Sequence, residues 1–189
     1  MIYFRKLWGG YKKQKSIFDN ITSDDLIIAF FPCTRFECQV SMFFRGEAFQ
    51  QKRWSEKQKI LYAKNLHNEL NDFYNYLCEL ILICIDKNIK LIIENPYSQP
   101  HYLTSYFPIK PKIIDYDRTK NGDYFKKPTQ FYFFNFEPQN NIIFEPIEHV
   151  KTMKICSGSI TIDKDKSRQT NRSKIHPQYA NRFIRQFIL

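Results

Sequence analysis

Two short, unbroken apolar runs bracket one long helical pattern. The first, Asp25 to Phe31 (DLIIAFF), stops at Pro32, and the second, Lys90 to Glu94 (KLIIE), stops at Asn95 and Pro96. Apolar runs of this length without polar alternation predict strands buried on both faces, as parallel sheets have them. Between the runs, Ser55 and Gln58 have the spacing of a capping box, in which each side chain satisfies a free amide of a helix's first turn. Leu66, Leu70, Phe73, Leu77, Leu80 and Cys84 then recur at alternating spacings of four and three, one stripe of a helix over about 56–87. Lys87 and Asn88 suit its end, the first as a cation against the dipole, the second as a residue at ease in left-handed backbone. Strand, long helix, strand is a crossover unit, and crossovers build parallel sheets.

Lys112 to Asp117 and the aromatic run Thr129 to Glu137 predict two more strands. From Lys151 to Arg172 the chain is polar and basic, which predicts an exposed, mobile loop. Tyr179, Phe183 and Phe187, following Pro177, mark an amphipathic terminal helix. The expected architecture is a single three-layer α/β domain over 1–189 with a mostly parallel sheet. It comprises an N-terminal segment 1–24, a sheet core 25–137, a basic loop 151–172 and a C-terminal helix 177–189.

Charge points to a partner. The 189 residues carry a formal net charge of +10, and 43% are apolar, so a packed basic domain is expected, with nucleic acid the commonest anionic partner. Five cysteines without a framework spacing predict reduced thiols and an intracellular protein. The opening MIYFRKLWGG lacks the apolar core of a signal peptide, and no apolar stretch approaches the roughly 20 residues of a membrane span. With five glycines and no GxGxxG or GxxxxGK[ST] pattern, a nucleotide-cradling loop has no evident place.

Ligand sites in open α/β sheets lie beyond the carboxyl ends of the strands. Cys33 follows the first strand candidate, and Glu94 with Asn95 ends the second. If the strands are neighbours, a thiol and a carboxyl face one crevice, a pair suited to attack on an electron-poor ring. The plainer alternative for Cys33 is a small buried residue, the usual fate of a free cysteine. A metal role is poorly served, since Cys33 and Cys38, and Cys78 and Cys84, lack CxxC spacing. A Cys–His hydrolase pairing Cys33 with His67 or His101 has no orienting motif to support it. Around Cys33, Arg35, Arg45, Lys52 and Arg53 alternate with Phe36, Phe43, Phe44 and Trp54, a mixture that suits phosphates and bases. Lys126, Lys127, Arg168 and Arg172 extend this candidate track.

FPCT after one strand and ENP after the next resemble the proline-cysteine and glutamate-asparagine motifs of DNA cytosine-5 methyltransferases. GDYFKKPTQFYFFN resembles that family's glutamine-bearing strand, and RSKIHPQYANRFI its closing segment. The order and approximate spacing of all four agree, and the whole is similar to compact phage and mobile-element members. The resemblance implies a Rossmann-like methyltransferase fold and methyl transfer from S-adenosylmethionine to cytosine in DNA. It makes Cys33 the nucleophile toward C6, with Pro32 fixing its loop. Glu94 holds the N3 edge of the base, Asn95 and Pro96 shape the turn, and Gln130 lies beside the substrate. It also implies the cytoplasm of a bacterium or a phage-infected cell.

Three departures shape the expectation. Phe31 stands where the family has a first proline, and the arginines expected after Gln130 are replaced by FYFF. Only 32 residues precede Cys33, without the family's glycine-rich cofactor loop, so the chain is expected to lack the first strand–helix units. A second chain or second copy that completes the cofactor site follows as an expected partner. The alternatives are an unfamiliar cofactor site made by the N-terminal segment, and a catalytically silent nucleic-acid-binding relative, used by a phage against host defence. NPYS at Asn95 to Ser98 is one proline short of the motif of amino-methyltransferases, a reading that leaves Cys33 idle.

Overall fold

The computed structural model describes residues 17–37, 40–148, 150–153, 162 and 168–189. Four strands form one sheet: β1 (Leu26–Phe30), β2 (Lys90–Pro96), β3 (Ile113–Asp115) and β4 (Thr129–Phe134). The helices are α1 (Val40–Phe44), α2 (Glu56–Asp86), α3 (Tyr102–Tyr106), α4 (Arg168–Ser173) and α5 (Pro177–Phe187). Among the described residues, no helix is long and apolar enough to cross a membrane.

The capping box forms as its spacing predicts. Gln58 N–H donates to Ser55 Oγ at 3.3 Å, and Ser55 N–H donates to Gln58 Oε1 at 2.9 Å. From there α2 runs 31 residues, roughly 46 Å at 1.5 Å per residue. Leu66, Leu77 and Cys84 of the predicted stripe are buried, and Leu70, Phe73 and Leu80 pack partly buried against the core. Asn88 closes the helix with a φ of 54°.

The crossover delivers the expected parallel ladder, with Leu26 opposite Lys90 and Phe30 opposite Glu94. The remainder of the sheet corrects the expectation. Its order is β1-β2-β4-β3, and β4 is antiparallel to both of its neighbours. The sheet is therefore mixed, with one parallel and two antiparallel ladders. The segment joining β3 to β4 carries only the one-turn 3-10 helix Arg118–Asn121, not the long helix that returns a chain for parallel pairing. Because β3 and β2 both oppose β4, the three strands β1, β2 and β3 share one direction. Their carboxyl ends lie at the same edge.

Side chains alternate between two apolar clusters, one on each face of the sheet. Leu91, Ile93, Tyr132 and Phe134 join Leu77, Ile81 and Cys84 of α2. Ile92, Phe131 and Phe133 meet Phe183, with Phe187 packed alongside. β1 departs from its prediction of burial on both faces: Ile28 and Phe30 are 37% and 59% exposed. It lies at the edge of the sheet, and the α5 cluster reaches only its first residue, Leu26.

α5 begins as expected, with Pro177 in its first turn and His176 Nδ1 accepting from Gln178 N–H at 3.1 Å. The expectation of a loop over 151–172 is corrected at both ends, since Met153 bridges Phe125 and α4 starts at Arg168. Its central residues, 154–161 and 163–167, lie outside the described residues, as do 1–16 of the N-terminal segment.

β4 ends before the predicted Glu137 because Asn135 turns the chain at a φ of 66°. Its Nδ2 donates to the carbonyls of Cys84 and Ile89 at 2.8 and 2.6 Å, tying the strand to the end of α2. Asn135→Gly keeps the left-handed backbone but loses these bonds, whereas Asn135→Ala loses both. Urea titration is expected to show about 1–3 kcal/mol lost in the glycine variant, and roughly 1 kcal/mol more in the alanine variant.

Candidate active site at the strand ends

β1 leads through buried Phe31 and Pro32 to Cys33, whose carbonyl accepts the N–H groups of Phe36 and Glu37 at 2.8 and 3.0 Å. Proline fixes the approach by locking its own φ. The single turn after it brings Glu37 back over Cys33. There Sγ donates to Glu37 Oε1 at 2.9 Å. Burial, followed by the hydrogen bond to Glu37 and its charge, pushes the thiol up to about 12; Lys127 pulls it the other way. A carbonyl-to-amide bond locks this loop to α3, where Tyr102 N–H donates to Phe36 O at 2.9 Å.

Glu94 lies near the end of β2, 6% exposed, and its Oε1 is buried without a hydrogen-bond partner. Two cations stand just beyond hydrogen-bond range: an Arg118 guanidinium nitrogen at 3.8 Å and Lys127 Nζ at 3.9 Å. Arg118 is 2% exposed, ion-paired with buried Asp123, and stacked 4.6 Å over the ring of Tyr179. Asp123 Oδ1 in turn accepts from the N–H groups of Tyr124 and His176, both at 2.8 Å. A buried charge left without its partner costs about 3–5 kcal/mol, so these groups hold one another in place.

Asn95 and Gln130 do different work. Asn95 Nδ2 donates to Phe31 O at 3.0 Å, fastening the end of β1 to the end of β2. Gln130, opposite Asn95 in the ladder, is wholly buried. Its Nε2 donates to Pro96 O at 2.8 Å, and its Oε1 accepts from Tyr132 and Thr104 hydroxyls at 3.0 and 3.3 Å. That amide is committed within the protein and braces the strand ends. Asn95 and Gln130 share the α2 face of the sheet, and Glu94 points to the other, by the alternation of side chains along a strand.

The remaining predicted residues are dispersed. Arg35 is ion-paired with Glu69 of α2. Lys126 is well exposed, 3.8 Å from Asp117. Arg45 pairs with Glu47 on the surface, and Lys52 stands over the Phe49 ring at 5.9 Å. The side chains of Arg168 and Arg172 lie outside the described residues, as does Cys38. His67 is exposed on α2 against Phe44, and buried His101 faces Gln130 Nε2 at 3.4 Å, so neither imidazole is bonded to Cys33. Among the described residues, no group of three or more potential ligands could hold a metal ion.

Glu37, Arg118 and Asp123 are the members that sequence reading missed. A signal existed for each: Glu37 is four positions after Cys33, and Arg118 is flanked by Asp115, Asp117 and Asp123. Two cavities also adjoin the sheet. One of about 310 Å³ is lined by Asp115, Tyr116, Tyr179 and Phe183, and one of about 730 Å³ by Leu82, Ile85, Ile109 and Phe133. Cys33 and Glu94 line neither. No family model, curated relative or solved structure matches the chain.

Burial pulls His101 down to about 4 from its ordinary 6.5. Its neutral form is therefore the one the fold accepts, and the unfolded chain binds the proton more readily between those values. The stability that His101 contributes is complete above pH 6.5 and is lost as pH falls toward 4. The difference between wild type and His101→Asn in urea midpoint is expected to change with pH across this window, by up to about 3 kcal/mol. A pH-independent difference contradicts this assignment.

Proposed function

We propose that the chain is a DNA cytosine-5 methyltransferase-like protein whose strand ends form the base-binding and nucleophile half of the site. One observation carries this reading. Cys33 and Glu94 lie at the carboxyl ends of two adjacent, parallel, hydrogen-bonded strands, and Glu94 presents a buried oxygen with no hydrogen-bond partner. A carboxyl held in this way suits the polar edge of a flipped pyrimidine, and a thiol beside it suits addition to the ring. Asn95 and Pro96, expected to shape a turn, instead continue β2 past Glu94 in the ladder with Gln130 and Thr129, and Lys127 is the more accessible of the two cations beside Glu94. The net charge of +10 supports DNA as the partner. A Rossmann-like architecture is part of the same proposal, favoured by three strands of one direction with a single inverted strand between two of them.

S-adenosylmethionine fits the described residues poorly. β1 is the edge of the described sheet, its exposed Ile28 and Phe30 face no strand or helix that carries a glycine loop, and neither cavity adjoins Cys33. No step is therefore derived through the methyl donor. The proposal assigns its binding to a partner chain or a second copy set against the β1 edge. The silent nucleic-acid-binding alternative is favoured by one fact, the thiol pushed up to about 12, which leaves almost no thiolate at neutral pH.

Trapping on 5-fluorocytosine DNA separates the two readings. The wild-type chain, with a methyl donor and with cell extract as a source of any partner, is expected to form a denaturation-resistant adduct. Cys33→Ser should form none while retaining DNA affinity within about twofold, since phosphate contacts dominate that affinity. A wild-type protein that binds DNA but is never trapped leaves the silent reading.

A further inference from the structure

A thiol near 12 keeps its proton at neutral pH, so addition to a ring requires that the proton leave as the new bond forms. Among the described residues, one acceptor is in contact with it. Glu37 Oε1 lies 2.9 Å from Sγ, inside the range for a group that takes a proton directly. Its position is fixed by backbone: the N–H groups of Phe36 and Glu37 both close on the Cys33 carbonyl, and residues four apart on such a turn meet. Buried Phe36 anchors the turn from below, and the Arg35–Glu69 pair anchors it from the side. The other charged groups acting on Sγ are Lys127, from the β3–β4 connection, and Glu94, from β2.

We propose that Glu37 is the general base of Cys33, taking the Sγ proton as sulfur adds to an electron-poor carbon. This rests on the reading of Cys33 as a nucleophile toward a pyrimidine ring. The S–H bond breaks and its electron pair forms the S–C6 bond, while the proton passes to Glu37 Oε1. The displaced C5–C6 π pair becomes the C4–C5 double bond, and the C4–N3 pair comes to rest on N3, which takes a proton from the Glu94 carboxyl. Elimination reverses each transfer and returns the proton to sulfur. A carboxylate is a weaker base than the free thiolate but a far stronger one than the protonated thioether that unassisted addition would create. A base of intermediate strength gains most by accepting the proton within the transition state. A carboxylate that merely restrained the thiol would act in the opposite sense, since its charge holds the proton on sulfur.

Acrylamide modification of Cys33 in the full chain, followed by peptide mass spectrometry across pH, distinguishes the two. With Glu37 as base, the wild-type rate lies on a plateau from about pH 6 to about pH 8, because the carboxylate and not bulk hydroxide takes the proton. Glu37→Gln then slows modification at pH 7 by about 100-fold, and Glu37→Asp restores part of the rate. A faster reaction in Glu37→Gln at pH 7 overturns the proposal. So does a wild-type rate that climbs tenfold per pH unit from about pH 6 to about pH 8, a result that does not depend on any variant folding. A plateau without trapping on 5-fluorocytosine DNA retains Glu37 as base and removes the cytosine reading. Trapping that proceeds equally in Glu37→Gln does the reverse.

Discussion

The guanidinium of Arg118 lies buried between Asp123, Glu94 and the ring of Tyr179, and through them it joins β2, the β3–β4 connection and α5. A buried cation of this kind dictates the path of the chain around it, because any arrangement that strips away its carboxylates costs several kcal/mol. Gly122 makes the path available. At a φ of 87° it closes the 3-10 turn, donating its N–H toward the carbonyls of Arg118 and Thr119. A Cβ at that position would also meet the end of the Gln178 side chain, which would have to shift to make room. Tyr179 then donates to Asp115 Oδ2 at 3.1 Å, which fixes the end of β3 to the same helix.

With that corner set, the strand ends divide their duties by face. On the α2 face, the Asn95 Nδ2 clamps β1 to β2 while its Oδ1 stays buried without a hydrogen-bond partner, and Gln130 braces β4 with both ends of its amide. On the opposite face, Glu94 keeps an oxygen uncommitted, although two cations stand within 4 Å. A carboxylate oxygen with unfilled bonding capacity, held on rigidly braced strand ends, is an arrangement suited to receiving a ligand. The same division explains why Glu94 and Gln130, both drawn to the substrate by family resemblance, end in such different settings. Their places in the ladder differ by one residue, and one residue reverses the face.

Local patterns in the sequence carried the elements well. Ser55 and Gln58 announced the start of α2, Asn88 its end, and Pro177 the start of α5, because each cap is set by residues within a turn of it. Direction in the sheet was not legible, since the apolar run of β4 reads the same forward or inverted. Only the lack of a long helix between β3 and β4 hinted at its reversal. The exposure of Ile28 and Phe30 depends on which strand stands beside β1, a property of strand order that no local pattern contains. In the site, Cys33 and Glu94 were visible as residues at the ends of apolar runs. Glu37, Arg118 and Asp123 were hidden because their importance comes from contacts with Cys33 and Glu94, not from a motif of their own.

The proposed function requires the strand ends to receive a cytosine ring at Glu94. Fluorescence anisotropy on two duplexes, alike except that one carries a mismatched cytosine and the other an abasic site, tests that directly. If Glu94 meets the base edge, the cytosine duplex binds at least tenfold more tightly, about 1.4 kcal/mol, and Glu94→Gln removes most of that difference while the salt dependence is unchanged. Equal affinities for the two duplexes in the wild-type protein would contradict the account, leaving DNA contact through the basic surface alone.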